Sequence, residues 1–159
     1  MQKNQFPNVS GKNLKRKKLS FPAGFPARYT VVLMAFYRHQ QADIDTWMPF
    51  ANRIENEYED LAYVELPVVY KMGPLGQFML NEGMRAGIPD QKARERTITL
   101  YLDKEKFLGQ MGINSQEEIQ VLLVETGGNI LFKQSGRFTP EKGQSLVDVL
   151  EKEVHSQNE

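Results

Sequence analysis

The stretch YTVVLMAFY at residues 29–37 decides the fold. It is dense in β-branched and aromatic side chains and lacks polar alternation, so it reads as a strand buried on both faces, the pattern of a central parallel strand. A parallel strand needs a crossover, and the residues that follow supply a helix. Asp43 can cap it, and Trp47, Phe50, Ile54, Tyr58 and Leu61 recur every three or four residues, opposite Asn52, Arg53, Glu55, Asn56 and Glu59. Pro49 either occupies the first turn of this helix or kinks it. Residues 62–66 (AYVEL) are predicted as a second short strand, closed by Pro67.

Residues 70–97 read as a helical insertion. Gly73-Pro74 opens a helix, Leu75, Phe78, Met79 and Ala86 give it an apolar stripe, and Gly87 followed by Ile88-Pro89-Asp90 ends it. Charge then concentrates in Lys92, Arg94, Glu95 and Arg96, which form either a solvated face or an anion site. Residues 97–103 (TITLYLD) alternate as a strand, and a short helix over 104–111 stops at Gly112. Residues 119–124 (IQVLLV) and 130–134 (ILFKQ) flank Thr126-Gly127-Gly128-Asn129. That is a β-hairpin signal, because glycine and asparagine tolerate the positive φ such turns need. Gly136 breaks the second strand, Thr139 caps a last helix with Pro140 at its first position, and Leu146, Val147, Leu150 and Val154 line one side of it. The predicted order is β-α-β-α-β-α-β-β-α.

A chain of 159 residues with 40% hydrophobic content builds one core. The longest apolar run, residues 31–36, falls far short of the roughly 20 residues that span a bilayer, and no signal-peptide stretch opens the sequence. The expectation is a cytoplasmic protein, free or peripheral at the inner membrane surface, or a mitochondrial matrix protein in a eukaryote. There is no cysteine. Thiol–disulfide exchange and cysteine peroxidase chemistry both need a thiolate, so composition excludes them. The net charge of zero hides an asymmetry: residues 1–42 hold eight Lys or Arg and no acid, while the remainder holds twelve against twenty acids. The densest basic cluster opens at Lys12 and closes at Lys18 (residues 12–18, KNLKRKK). It reads either as an arm for nucleic acid or an anionic membrane surface, or as a solvated tail or edge strand that offsets the acidic body. The expected division is a flexible basic arm at 1–19, one domain at 20–154 carrying the helical insertion, and a disordered tail at 155–159.

Over about residues 20–154 the order of elements resembles the thioredoxin-like fold of the redoxin type. The resemblance implies an α/β three-layer sandwich: a central mixed β-sheet with a C-terminal β-hairpin and helices on both faces. In that fold the catalytic cysteine follows the first central strand, which corresponds here to residues 38–47, opening with Arg38-His39-Gln40-Gln41. A proline that precedes the hairpin in thioredoxins is replaced by Glu117-Glu118-Ile119-Gln120. A closer resemblance lies in Phe36-Tyr37-Arg38-His39-Gln40-Gln41, Asp45-Thr46-Trp47, Val64-Glu65-Leu66-Pro67 and Met84-Arg85-Ala86-Gly87-Ile88-Pro89-Asp90. Together they resemble the mitochondrial ATP-synthase assembly factor family ATP-ten and its cysteine-free bacterial relatives. That resemblance implies a soluble protein that assists a membrane subunit.

In such sheets ligands meet the carboxyl ends of the central strands. Arg38, His39, Gln40 and Gln41 leave the first strand there, and Pro67 leaves the second. Glutamine side chains pair either with the backbone of an extended peptide or with their own loop. Trp47 either rims this groove or belongs to the core. Arg85 and Asp90 either clamp a partner's charge or pair with each other. The candidate binding residues are therefore Arg38, His39, Gln40, Gln41, Trp47, Pro67, Arg85 and Asp90. Asp43 and Asp45 suit either a cation or helix capping. His155 lies in the polar tail, and no catalytic set, metal site or cofactor motif is assigned. Two principal readings follow. One is a redox-inactive binding protein, an assembly factor or chaperone for a membrane complex such as ATP synthase. The other is a redoxin-derived enzyme with a non-thiol site around His39, whose imidazole is a candidate general base. Nucleic-acid binding through the basic cluster is a third.

Overall fold

The structure, a computed structural model, describes residues 4–157. Its elements are β1 (Val9–Asn13), β2 (Lys18–Phe21), β3 (Tyr29–Ala35), a 3-10 turn (Arg38–Gln40), α1 (Gln41–Asp45), α2 (Met48–Glu57), β4 (Leu61–Tyr70), α3 (Pro74–Gly87), α4 (Gln91–Arg96), β5 (Ile98–Leu102), α5 (Lys104–Met111), β6 (Gln120–Glu125), β7 (Ile130–Ser135) and α6 (Pro140–Gln157). One seven-stranded sheet runs β2-β1-β5-β4-β3-β6-β7. The central strands β3, β4 and β5 are parallel, and the pairs at either side are antiparallel. From β3 onward the order matches the sequence expectation, with α3 and α4 filling the insertion.

The double burial of β3 follows from side chains alternating across the sheet. Val32 and Met34 join Val64, Leu66, Leu100, Leu122 and Phe107 on the face covered by α5. Val31 and Leu33 join Trp47, Phe50, Ile54, Val121 and Leu146 on the face covered by α2 and α6. At the hairpin between β6 and β7, Gly127 and Gly128 have φ of 96° and 99°, the region L side chains avoid.

Several expectations are corrected. Residues 9–21 form an antiparallel hairpin docked on β5 rather than part of a flexible arm. Phe6 and Leu14 are fully buried, and the Phe6 ring stands edge-on to Phe21, Phe25 and Phe107. Gly11 makes the docking possible, since a Cβ there would lie 2.2 Å from the Thr99 carbonyl oxygen. Residues 1–3 lie outside the described part. The first crossover helix is broken into the 3-10 turn, α1 and α2, with Pro49 in the first turn of α2 and Asp43 inside α1 rather than capping the longer helix. Leu61 starts β4 instead of extending the helix face. Pro67 does not close β4 but sits within it, at the last rung of the β3–β4 ladder before pairing passes to β5 from Val68, where a missing amide donor costs least. The expected tail is helical through Gln157, and residues 158–159 lie outside the described part.

Candidate functional site

The carboxyl end of β3 turns sharply into the 3-10 segment, and Gln40 holds that turn together. Its side chain is buried; Oε1 accepts from the Phe36 and Tyr37 amides at 2.8 and 3.2 Å, and Nε2 donates to the Gln116 carbonyl at 2.7 Å. Of its two sequence readings, the loop-satisfying one is what the geometry shows. Arg38 and His39 are left on the surface, with the His39 imidazole stacked on Tyr37 at 5.6 Å between ring centroids. Among the described residues His39 forms no ion pair with a carboxylate.

Beneath this turn lies Lys104, the first residue of α5. It is buried, donates from Nζ to the Phe36 carbonyl at 2.7 Å, and places the same nitrogen 4.8 Å from the ring centroids of both Tyr37 and Tyr70. Burial pulls its pKa below the usual lysine range, with Glu105 opposing. The two tyrosine rings keep the ammonium in a cation–π environment. The Tyr70 hydroxyl donates to Glu105 at 2.9 Å.

Gln41 is exposed and donates to Asp45 at 3.0 Å and to Glu65 on β4 at 3.3 Å. Glu65 is half-buried, and burial raises its pKa; Asp45 adds to the rise, while the Gln41 bond and Arg96 oppose it. A carboxyl group that is harder to ionise when folded favours folding below the unfolded carboxylate pKa, about 4.3, and loses that contribution as pH climbs through its raised folded value. Glu65→Gln is therefore expected to raise stability at neutral pH, and the gain should shrink toward acid. Urea midpoints across the pH range check this; equal pH slopes for the two proteins would refute it.

The remaining candidates separate. Trp47 is fully buried, donates from Nε1 to the Gly136 carbonyl at 3.0 Å and meets Phe50 and Phe138 edge-on, so it is core and not a groove rim. Arg85 and Asp90 do not pair. Arg85 donates to the Leu14 carbonyl at 2.9 Å, and Asp90 caps α4 by accepting from the Ala93 amide at 2.9 Å. Arg94 donates to the Ile88 and Arg85 carbonyls at 2.6 and 2.7 Å, satisfying the end of α3. Arg96 lies over the Tyr63 ring at 4.0 Å and pairs with Glu55 at 3.1 Å, so neither arginine is simply a solvated charge. Asp43 pairs with Arg137 at 2.6 Å, which occupies one half of the suggested cation pair.

One feature escaped the sequence reading. The apolar stripe read on α3 is left open to solvent: Leu75, Phe78 and Met79 are 70%, 55% and 65% exposed. The helix docks instead through Asn81, which donates to the Asn13 carbonyl, and through Met84 beside Thr99. Tyr37, Tyr70 and Met72 are exposed as well. Tyr37 and Tyr70 flank Lys104, Met72 follows Tyr70 by two residues, and Gly76 of α3 packs against the Met72 side chain. Tyr37, Tyr70 and Met72 thus mark the ends of β3 and β4, and Leu75, Phe78 and Met79 follow on α3 as a run of exposed apolar side chains.

No family model and no curated protein matches the sequence. Solved structures do. A thiol:disulfide interchange protein from Bacteroides sp. superposes with a TM-score of 0.58 at 20% identity, covering 96% of this chain and 91% of that one. The fold is thioredoxin-like. The pneumococcal exposed lipoprotein thioredoxin from Streptococcus pneumoniae strain TIGR4 gives a TM-score of 0.55 at 16% identity over 91% of this chain and 99% of its own. A thiol-disulfide oxidoreductase from Bacteroides fragilis NCTC 9343 gives 0.54 at 16% over 92% and 98%. At these identities the likeness establishes the fold alone. This thioredoxin-like chain has no cysteine with which to perform the exchange named for those proteins. No helix among its described residues is long and apolar enough to cross a membrane.

Proposed function

We propose that the chain is a redox-inactive thioredoxin-like binding protein that holds an apolar segment of another protein. The run of exposed side chains from Tyr37 to Met79 carries this reading. Several large apolar side chains left open to water on neighbouring elements mark a candidate interaction site. Methionine and aromatic side chains dominate it, and they adapt to partners of varied shape while burying much apolar area. The run lies at the carboxyl ends of the central strands, where open α/β sheets place their ligands. His39 stacks on Tyr37 at its edge and forms no ion pair with a carboxylate among the described residues, so binding accounts for the site better than catalysis does.

Resemblance to the ATP-ten family carries the narrower reading, in which the partner is a membrane-complex subunit such as one of ATP synthase. An apolar subunit segment suits a Met- and Phe-rich surface.

The triple variant Leu75→Ser, Phe78→Ser, Met79→Ser is expected to stay folded, since exposed substitutions usually change stability by under about 0.5 kcal/mol each. It should lose at least about tenfold in recovery of partner protein from gently solubilised native membranes and cytosol, because truncated anchors dominate interface energy. Recovery equal to that of the unaltered protein would overturn the reading. Selective loss of ATP-synthase subunits would support the narrower one.

A further inference from the structure

We infer that the cleft between α3 and β1 selects acidic residues in the bound segment, an inference that rests on the protein-binding reading above. The cleft has a volume of about 210 Å³ and is lined by Pro74, Gln77, Phe78 and Asn81 of α3, Tyr101 of β5, and Lys12 and Arg16 of the β1–β2 hairpin. Phe78 belongs both to this cleft and to the exposed run, so a segment lying on the run reaches the cleft. Its volume is below the roughly 300–1,000 Å³ of sites for whole small molecules and suits one side chain of a longer ligand.

Three observations define what enters. First, Lys12 and Lys18 are direct cross-strand partners, so their side chains share a face, and both are exposed. Lys12 is also opposite Thr99, whose hydroxyl faces Met84 of α3, which places both lysines on the α3 side of the sheet. Like charges in opposed positions destabilise a strand pair, and a carboxylate between them reverses the sign. Second, Lys12 and Lys18 form no ion pair among the described residues, whereas Arg16 is held by Glu82 at 2.7 Å and Lys15 by Glu95 at 2.9 Å. Lys12 of the cleft lining and its cross-strand partner Lys18 are therefore cations without an ion-pair partner among the described residues, as is Lys17. Third, Asn81 is 7% exposed; its Nδ2 donates to the Asn13 carbonyl at 3.2 Å, but its Oδ1 is buried with no hydrogen-bond partner. A buried acceptor without a donor is costly; this oxygen is closed to solvent in the structure, so a peptide N–H would reach it only with a shift of the Asn81 side chain as the cleft fills. The occupant is thus a polypeptide segment with a carboxylate for Lys12 and Lys18 and an apolar side chain for Phe78 and Pro74.

The test is selection of a random-peptide phage library on the intact protein, followed by affinity measurement on Lys12→Glu, Lys12→Arg and Phe78→Ser, with circular dichroism to verify folding. Selected peptides should carry Asp or Glu beside apolar residues. Their affinity should fall roughly three- to tenfold with Lys12→Glu, hold with Lys12→Arg, and weaken with salt. Peptides without acidic bias, unaffected by Lys12→Glu but lost with Phe78→Ser, would overturn the cleft and leave the protein-binding reading standing. No selected peptide, with or without binding to phosphatidylserine–phosphatidylcholine vesicles, would overturn both.

Discussion

Trp47→Ala is expected to lower stability by about 3–5 kcal/mol, the usual cost of removing a large buried aromatic side chain. Trp47 is the residue just before α2, and it reaches across to the link between β7 and α6. There its indole nitrogen donates to Gly136, and its ring lies 5.8 Å from Phe50 and 5.2 Å from Phe138. Alanine would leave a cavity between two elements far apart in sequence and a buried carbonyl without its donor. Trp47→Phe should recover most of the loss and retain a deficit of about 1–2 kcal/mol from the missing hydrogen bond. Urea denaturation followed by circular dichroism measures both. A loss below about 1 kcal/mol for the alanine variant would contradict the core role and favour the groove-rim alternative.

Gln40→Ala is expected to cost about 2–4 kcal/mol, although the residue contributes almost nothing to the apolar core. One side chain satisfies two amides and one carbonyl, and each buried group left unpaired costs about 1–3 kcal/mol before relaxation. The loss should be local first. The Phe36 and Tyr37 amides should exchange with solvent much faster in the variant, and the turn presenting Arg38 and His39 should loosen. Unchanged exchange at those two amides would show that the glutamine is dispensable to the turn.

These two residues also show how much the sequence could tell. Gln40 and Trp47 stood out because of their place after the central strand, but a glutamine beside a strand end satisfies a loop or a ligand equally well on paper. Burial decides, and burial depends on residues as distant as Gln116 and Gly136. The central strand, the β6–β7 hairpin and α6 were legible because apolar periodicity and Gly-Gly turn chemistry are local signals. The orientation of α3 was not. Leu75, Phe78 and Met79 define a stripe at helical spacing, and periodicity says nothing about whether the fold supplies a surface to cover it. The basic segment, which suited a tail or an edge strand, stayed undecided for a related reason: in β1, Lys12 is exposed while Gly11 and Asn13 are buried, so the inward face offers no apolar alternation. Phe6 and Leu14, apolar residues isolated in a polar and basic segment, were the available signal. Lys104 was invisible, since a lysine opening a helix ordinarily reads as a solvated charge.

The proposed binding surface lies on α3 and at the carboxyl ends of the central strands, in a chain without cysteine. Its most direct test is photo-crosslinking in native cells with a benzophenone amino acid replacing Phe78 on the run, and separately replacing Glu59, an exposed residue beyond α2 near the start of β4. The account predicts a discrete protein adduct from position 78 and none of the same mass from position 59. No adduct at position 78, or identical adducts at both positions, would contradict it.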